Sequence, residues 1–204
     1  MAELFANNTI SGSYKEALQT KHSTDPNWGA SRRQWGAPDY VEQIKKRGYV
    51  NTILDWGAGK GQMRKLLKKE APHIVYTPYD PGMPEYDVLP DGPFDMVIST
   101  DVMEHIEPDL IEETLRQMWN RTKYVLIQNI ACSKAGSNFL YGPYEGQNVH
   151  LIIEDTDWWV ETHKRAIQDP KMSIMSITKS LRRHNSVANS GYKERCQIII
   201  ERVG

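Results

Sequence analysis

The sequence predicts an α/β fold: one doubly wound sheet, mostly parallel, closed at its end by an antiparallel strand pair. Three observations predict it. Runs with the length of buried strands alternate with amphipathic helical segments, the pattern of a parallel sheet with helices on its faces. The first strand runs straight into closely spaced glycines and then a helix, through Leu54-Asp55-Trp56-Gly57-Ala58-Gly59-Lys60-Gly61-Gln62. The last two β-rich runs, residues 173–178 and 197–203, lie too close for another crossover helix of ordinary length, so they are expected to pair antiparallel at one edge.

Taken in order, the leading segment to about Asp39 is rich in polar residues and turn formers. A short helix is expected over residues 38–46, with Val41 and Ile44 as its apolar positions and Pro38 tolerated in its first turn. Thr52-Ile53-Leu54-Asp55-Trp56 is the first strand, and residues 62–70 form a basic amphipathic helix. Ile74-Val75-Tyr76-Thr77-Pro78-Tyr79 is the second strand, and Tyr86-Asp87-Val88 reads as a short third. The apolar run 94–99 has the length of a buried fourth. A helix over 108–119 turns Leu110, Ile111, Leu115 and Met118 inward, and residues 124–128 make a fifth strand. A long Gly- and Asn-bearing loop follows, and Asp155 or Thr156 caps a helix through about Ala166. With the two terminal runs the sheet counts seven strands, and the basic stretch 179–193 between those runs reads as a loop.

Bulk properties bound the function. A chain of 204 residues fits a single domain, 1–204, large enough to bury one core without staples. With 39% hydrophobic and 25% charged residues it reads as a soluble enzyme rather than a disordered chain. A net charge of −1 steers the molecule toward neither nucleic acid nor an anionic membrane, and no apolar run approaches the roughly 20 residues of a membrane span. Met1-Ala2-Glu3-Leu4 resembles no secretory leader, so a cytoplasmic location is expected. The two cysteines, Cys132 and Cys196, form no CxxC pair, and no His/Cys cluster has zinc spacing, so neither a disulfide framework nor a metal is expected. Oligomeric state is not written in the sequence.

The glycine-rich turn is the most informative segment. Strand, glycines and helix in succession bring backbone within contact distance of a ligand and aim free helix N–H groups at it. The spacing is G-x-G-x-G (Gly57, Gly59, Gly61), whereas the dinucleotide fingerprint would need glycine or alanine where Gln62 stands. Asp55 at the strand's end suits an ammonium group and repels a pyrophosphate. Asp80, at the end of the next strand, is placed to accept both hydroxyls of a ribose. A sulfonium ligand with a ribose and an amino-acid tail meets all three conditions; the alternative is that Asp55 and Asp80 are ordinary turn-entry carboxylates.

On these residues the chain resembles the class I S-adenosylmethionine-dependent methyltransferases, which have a Rossmann-like sheet, over about residues 52–128 and plausibly throughout. The resemblance implies S-adenosylmethionine as cofactor. It makes the loop with Gly57, Ala58, Gly59 and Gly61 the methionine-binding turn, and Asp80, followed by Pro81, the ribose site. It assigns the adenine to Asp87 with the backbone of Val88, and further cofactor contacts to Thr100, Asp101 and Val102 at the fourth strand's exit. Phe94-Asp95 followed by apolar residues and then Asp101-Val102-Met103-Glu104-His105-Ile106 is similar to the branch that methylates small molecules and quinone precursors. The segment 1–39, with Tyr14, His22, Trp28 and Trp35, is expected to close over the cofactor as a lid.

The acceptor is read from what the fourth strand's exit lacks. Base-directed amino-methyltransferases resemble one another in an Asp/Asn-Pro-Pro-Tyr/Phe motif there, and this chain has Thr100-Asp101-Val102-Met103 with no ring to stack a flipped base. Neither cysteine follows a proline, as a carbon-5 cytosine nucleophile would. A nucleic-acid acceptor is therefore not expected; a small-molecule or sugar-linked acceptor, methylated on O or N, is. A local basic excess beyond Glu161, including Lys164, Arg165, Lys179, Arg182, Arg183, Lys193 and Arg195, leaves an acidic acceptor open against a simple solvated surface. In-line displacement at a sulfonium carbon needs positioning first and a base second. His150, after the 131–150 acceptor-side loop, and His105 are the candidate bases, each against a plain loop or helix-start role. Tyr141, Tyr144 and Trp158 are the candidate acceptor contacts, against ordinary packing. Two competing readings are a non-catalytic S-adenosylmethionine-binding sensor or activating subunit, and an NAD-dependent oxidoreductase; the second is weakened by Gln62 and by the lack of a Tyr-x-x-x-Lys pair.

Overall fold

A computed structural model of the chain describes residues 4–5, 9–30, 37–183 and 192–204. Its centre is a six-stranded sheet in the order β4-β3-β5-β6-β8-β7. The strands are β3 (Thr52–Trp56), β4 (Val75–Tyr79), β5 (Phe94–Thr100), β6 (Thr122–Ala131), β7 (Met172–Arg183) and β8 (Tyr192–Arg202). Strands β3 through β6 pair parallel, with Leu54 opposite Thr77 on one side and Val97 on the other. The expected antiparallel pair is present: β8 lies against β6, and β7 closes the edge against β8.

The central strands β3, β5 and β6 are largely apolar because both faces of the sheet are covered there. Leu54, Val97, Leu126, Ile198 and Ile200 face one cluster, into which α4 (Ile111–Asn120) sends Leu115 and Met118 and α5 (Thr156–Ala166) sends Trp159 and Val160. Their neighbours Ile53, Met96, Ile98, Val125, Ile127 and Ile199 face the other, with Tyr40 and Ile44 of α2 (Ala37–Lys46) and Met63 and Leu67 of α3 (Gln62–Glu70). Period-two alternation along each strand therefore feeds two cores at once. A third cluster joins Ile10, Tyr14 and Ala17 to Phe139 and Val149, so α1 (Gly12–Thr24) docks on the 131–150 loop. The Ser11 hydroxyl caps α1 through the Tyr14 N–H at 3.2 Å, and the Asp155 carboxylate caps α5 through the Trp158 N–H at 2.9 Å. No helix among the described residues is long and apolar enough to cross a membrane.

Four expectations are corrected. The sheet has six strands, not seven, because residues 86–88 are a turn: the Asp80 N–H donates to the Tyr86 carbonyl at 2.9 Å and the Tyr86 N–H to Met83 at 2.8 Å. Backbone groups satisfied inside a loop have no need of a neighbouring strand. The turn-rich leading segment holds a 13-residue helix, α1, and a separate two-stranded pairing of β1 (Leu4–Phe5) with β2 (Ile10–Ser11). The stretch beyond Thr178 is strand rather than loop as far as Arg183 and from Tyr192 onward, since the hairpin ladder continues to Arg183 opposite Tyr192. The helix expected over 108–119 opens with a separate 3₁₀ turn, Pro108–Leu110, before α4 begins. Trp35, named for the lid, lies outside the described residues.

Candidate functional site

The carboxyl ends of β3, β4 and β5 open onto a cavity of about 300 Å³. This is where such a sheet offers one: β4 lies to one side of β3 and β5 to the other, so the loops leaving the strands part company above β3. Residues 55–59 form its floor, Tyr79, Asp80 and Pro81 one wall, and Thr100, Asp101, Val102, His105 and Ile106 the opposite wall. The N-terminal segment roofs it with Tyr14, Leu18, His22, Trp28 and Gly29.

The glycine turn has the shape its spacing implies. Gly57 and Gly59 hold φ of +78° and +51°, in the left-handed region. A Cβ on Gly57 would stand 2.3 Å from the Val102 Cγ2, and one on Gly59 would stand 2.6 Å from the Gly29 carbonyl oxygen. The Gly57 and Ala58 N–H groups donate to the Tyr79 carbonyl at 2.8 and 3.0 Å, and the Lys60 N–H donates to Gly29 at 2.9 Å. The roof is thus bonded to the turn it covers. Gly61 is the residue before α3, at φ +65°.

Two buried carboxylates give the cavity its charge. Asp55 accepts from the Tyr76 hydroxyl at 2.6 Å, and burial pushes its carboxyl up to about 6 against that hydrogen bond. Asp80 accepts from the Gly59 N–H at 2.8 Å and the Gly82 N–H at 2.9 Å. Burial raises its pKa, opposed by His22, whose Nε2 lies 3.8 Å away. Burial in turn lowers His22. Among the described residues, no lysine or arginine pairs with either carboxylate. Such a cavity favours a cationic ligand and repels a pyrophosphate.

The remaining predicted residues divide into two groups. Thr100, Asp101, Val102, Pro81 and His105 line the cavity, whereas Asp87 and Val88 do not: Asp87 pairs with Lys15 at 2.9 Å and Val88 is 80% exposed. Tyr141, at 59% exposure, and Tyr144 and Trp158 also stand outside it. Tyr144 packs edge-on against Tyr14 and donates to Glu107 at 2.8 Å; Trp158 packs against the core beside Trp159. Sequence reasoning missed Leu18 and the Glu107 latch. The spacing of Tyr14, Ala17, Leu18 and Lys21 carried the missing signal, one helical face hidden among turn-forming residues.

Both candidate bases lie together. The His105 Nδ1–H donates to the Val149 carbonyl and the His150 Nδ1–H to the Ser133 carbonyl, each at 2.6 Å, with ring centroids 4.8 Å apart. Burial pushes His105 down to about 3, aided by His150, and burial also lowers His150. The two rings are therefore neutral near pH 7. Glu104, fully buried beside them, accepts from the Ala131 N–H at 3.2 Å. Sequence spacing puts Glu104 beside His105 but does not bring His150 to them, because His150 reaches the site through a fold contact.

A family model described as a methyltransferase domain matches residues 30–177. The structure is similar to an S-adenosylmethionine-dependent methyltransferase from Clostridium acetobutylicum (TM-score 0.59, 13% identity, 91% of this chain and 98% of that one). It is also similar to the N-methyltransferase NodS from Bradyrhizobium japonicum, solved with S-adenosylhomocysteine (TM-score 0.58, 12% identity, 93% and 98%). A third is the 1,6-didemethyltoxoflavin-N1-methyltransferase from Burkholderia thailandensis, also solved with S-adenosylhomocysteine (TM-score 0.58, 12% identity, 100% and 93%). At these identities the likeness is one of fold. A comparison with curated proteins finds no significant match.

Proposed function

The chain belongs to the methyltransferase-domain family, and from that premise we propose that it transfers a methyl group from S-adenosylmethionine to an oxygen or nitrogen of a small-molecule or sugar-linked acceptor. The observation that carries the reading is the pair of buried carboxylates, Asp55 and Asp80, facing one glycine-lined cavity that has no lysine or arginine among its described lining residues. The donor fits these residues. Gly57 and Gly59 let the turn approach Val102 and Gly29 more closely than any Cβ would allow, which sets the backbone of the turn at the cavity floor. Asp80 keeps acceptor capacity for a ribose beyond its two backbone bonds. Asp55 offers a carboxylate to an ammonium group.

When bound, the donor supplies an activated methyl on a sulfonium. The chain's part is to hold and to exclude. Asp55 and the turn 57–61 would hold the amino-acid end, Asp80 the sugar, and Thr100, Asp101 and Val102 the wall beside the nucleoside. Tyr14, Leu18 and Trp28 keep water from that cavity. His105 reaches the acceptor side, where its neutral ring takes a proton weakly and serves better to orient.

Calorimetric titration of the full-length chain tests the reading. S-adenosylmethionine and S-adenosylhomocysteine are expected to bind and NAD to fail. Asp80→Ala is expected to weaken S-adenosylhomocysteine by roughly 1.5–3 kcal/mol, the range of hydrogen bonds to a charged group. NAD binding, or unchanged affinity in the variant, would remove the reading.

A further inference from the structure

Two imidazoles and one carboxylate from separate parts of the chain meet at the edge of the donor cavity. Glu104 and His105 stand on the 3₁₀ turn Met103–His105, and His150 ends the 131–150 loop. One ligand atom of each lies within 4.8 Å of the others. We propose that Glu104, His105 and His150 bind a divalent metal cation of the zinc, manganese or iron(II) kind, with an open position toward the cavity that takes an oxygen of the methyl acceptor.

The tautomers point this way first. A backbone carbonyl can only accept, so the contacts to Val149 and Ser133 place the proton of both rings on Nδ1. Each Nε2 is left with a lone pair, and donating the other ring N–H to a carbonyl is how metal-ligating histidines are held. His150 Nε2 stands 3.9 Å from the Glu104 Oε1. Ligand atoms about 2.1 Å from a tetrahedral ion sit about 3.4 Å apart, so side-chain torsions have only a short distance to close on that edge.

Glu104 is the second, independent observation. It is 0% exposed, and its Oε2 has no hydrogen-bond partner among the described residues. A carboxylate hidden from water needs a partner that answers its charge. Arg195, whose charge acts on Glu104 through space, is paired with Asp101. An ion held at the Oε1 that faces His150 would answer the charge of the carboxylate as a whole. The frame is already built: the Ile152 N–H donates to the Glu104 carbonyl at 3.0 Å, which together with the His105 contact pins the His150 segment over the turn.

Donor type selects the ion. Two nitrogens and one oxygen suit zinc, iron(II) or manganese better than calcium or magnesium, which take oxygen ligands. Three protein ligands leave a position free, and His105 is the member that lines the cavity. An acceptor presenting a hydroxyl oxygen fits that position. This use of the ion rests on the methyl-transfer reading, whereas the ion site rests on the three side chains alone.

The test titrates the full-length chain, stripped with chelator, with Mn²⁺ and in parallel with Zn²⁺. Manganese matters because Cys132 and Cys196, with Sγ atoms 3.5 Å apart, would compete for a softer ion. About one equivalent is expected to bind. Glu104→Gln, His105→Gln and His150→Gln are each expected to weaken uptake by more than about tenfold, the smaller loss typical of an outer partner. Far-ultraviolet circular dichroism and a cooperative melt report that each variant is folded, and His150→Gln decides the matter should the buried Glu104→Gln fail to fold. Absence of uptake that depends on these three residues, for both ions, overturns the site. Ion uptake without S-adenosylhomocysteine binding would instead strike the methyl-transfer reading and leave the site standing.

Discussion

Asp55 is a buried carboxyl that costs the fold stability, which the proposed role in holding an ammonium group would explain. Its pKa rises from the ordinary 3.8 to about 6, so between those values the folded state keeps a proton that the unfolded chain releases. Stability must therefore fall as pH rises through that window, and the full penalty is present above about 6. Asp55→Asn keeps an acceptor for the Tyr76 hydroxyl and removes the charge. The ligand-free variant is expected to be more stable than the parent at pH 7 by roughly 1–3 kcal/mol, with no gain below pH ~4. Its affinity for S-adenosylmethionine is expected to drop. Denaturant melts from pH 4 to 8 with parallel calorimetry check both; a variant less stable at pH 7 would show that the carboxylate is compensated within the fold.

At the scale of elements, one acidic residue gathers the polar contacts at the start of the roof helix. Glu107 accepts from the Ser11 N–H at 2.8 Å, the Ser11 hydroxyl at 2.7 Å and the Tyr144 hydroxyl at 2.8 Å. It ties the N-terminus of α1 to the 131–150 loop while standing outside the two sheet cores. Glu107→Ala is expected to speed proteolytic cutting before residue 30 severalfold while the melting transition of the sheet moves little, with S-adenosylhomocysteine restoring protection. Limited proteolysis read by mass spectrometry checks it, and unchanged cutting would mean the roof is held by its apolar contacts.

The same scale shows what the sequence made legible. Strand β3, helix α3 and the Asp155 cap stand where local pattern put them, because period and turn chemistry act within a few residues. The strand expected at 86–88 is a turn because the Asp80 to Tyr86 bond closes locally, which residue type alone does not reveal. Helix α1 escaped notice because its glycine, serines and threonines read as turn formers, while Tyr14 and Ala17 are buried in a cluster with Phe139 and Val149, residues distant in sequence. The glycine turn and Asp80 were readable because a motif fixes them. The pairing of His150 with Glu104 was not, since it depends on a loop folding back across the chain.

At the scale of the whole molecule, the cavity lies where three clusters meet. The two sheet cores fix the ends of β3, β4 and β5 from either side, and the third cluster carries the roof. Floor and roof are therefore set by different packing, which allows the roof to yield to a ligand while the carboxylates keep their places. On the proposed reading this cavity cradles a sulfonium nucleoside between Asp55 and Asp80. A crystal structure of the full-length chain grown with S-adenosylhomocysteine tests it most directly. Both ribose hydroxyls are expected on the Asp80 carboxylate and the amino-acid end along residues 57–61 beside Asp55. Ligand bound elsewhere, or lying in this cavity with its sugar away from Asp80, would contradict it.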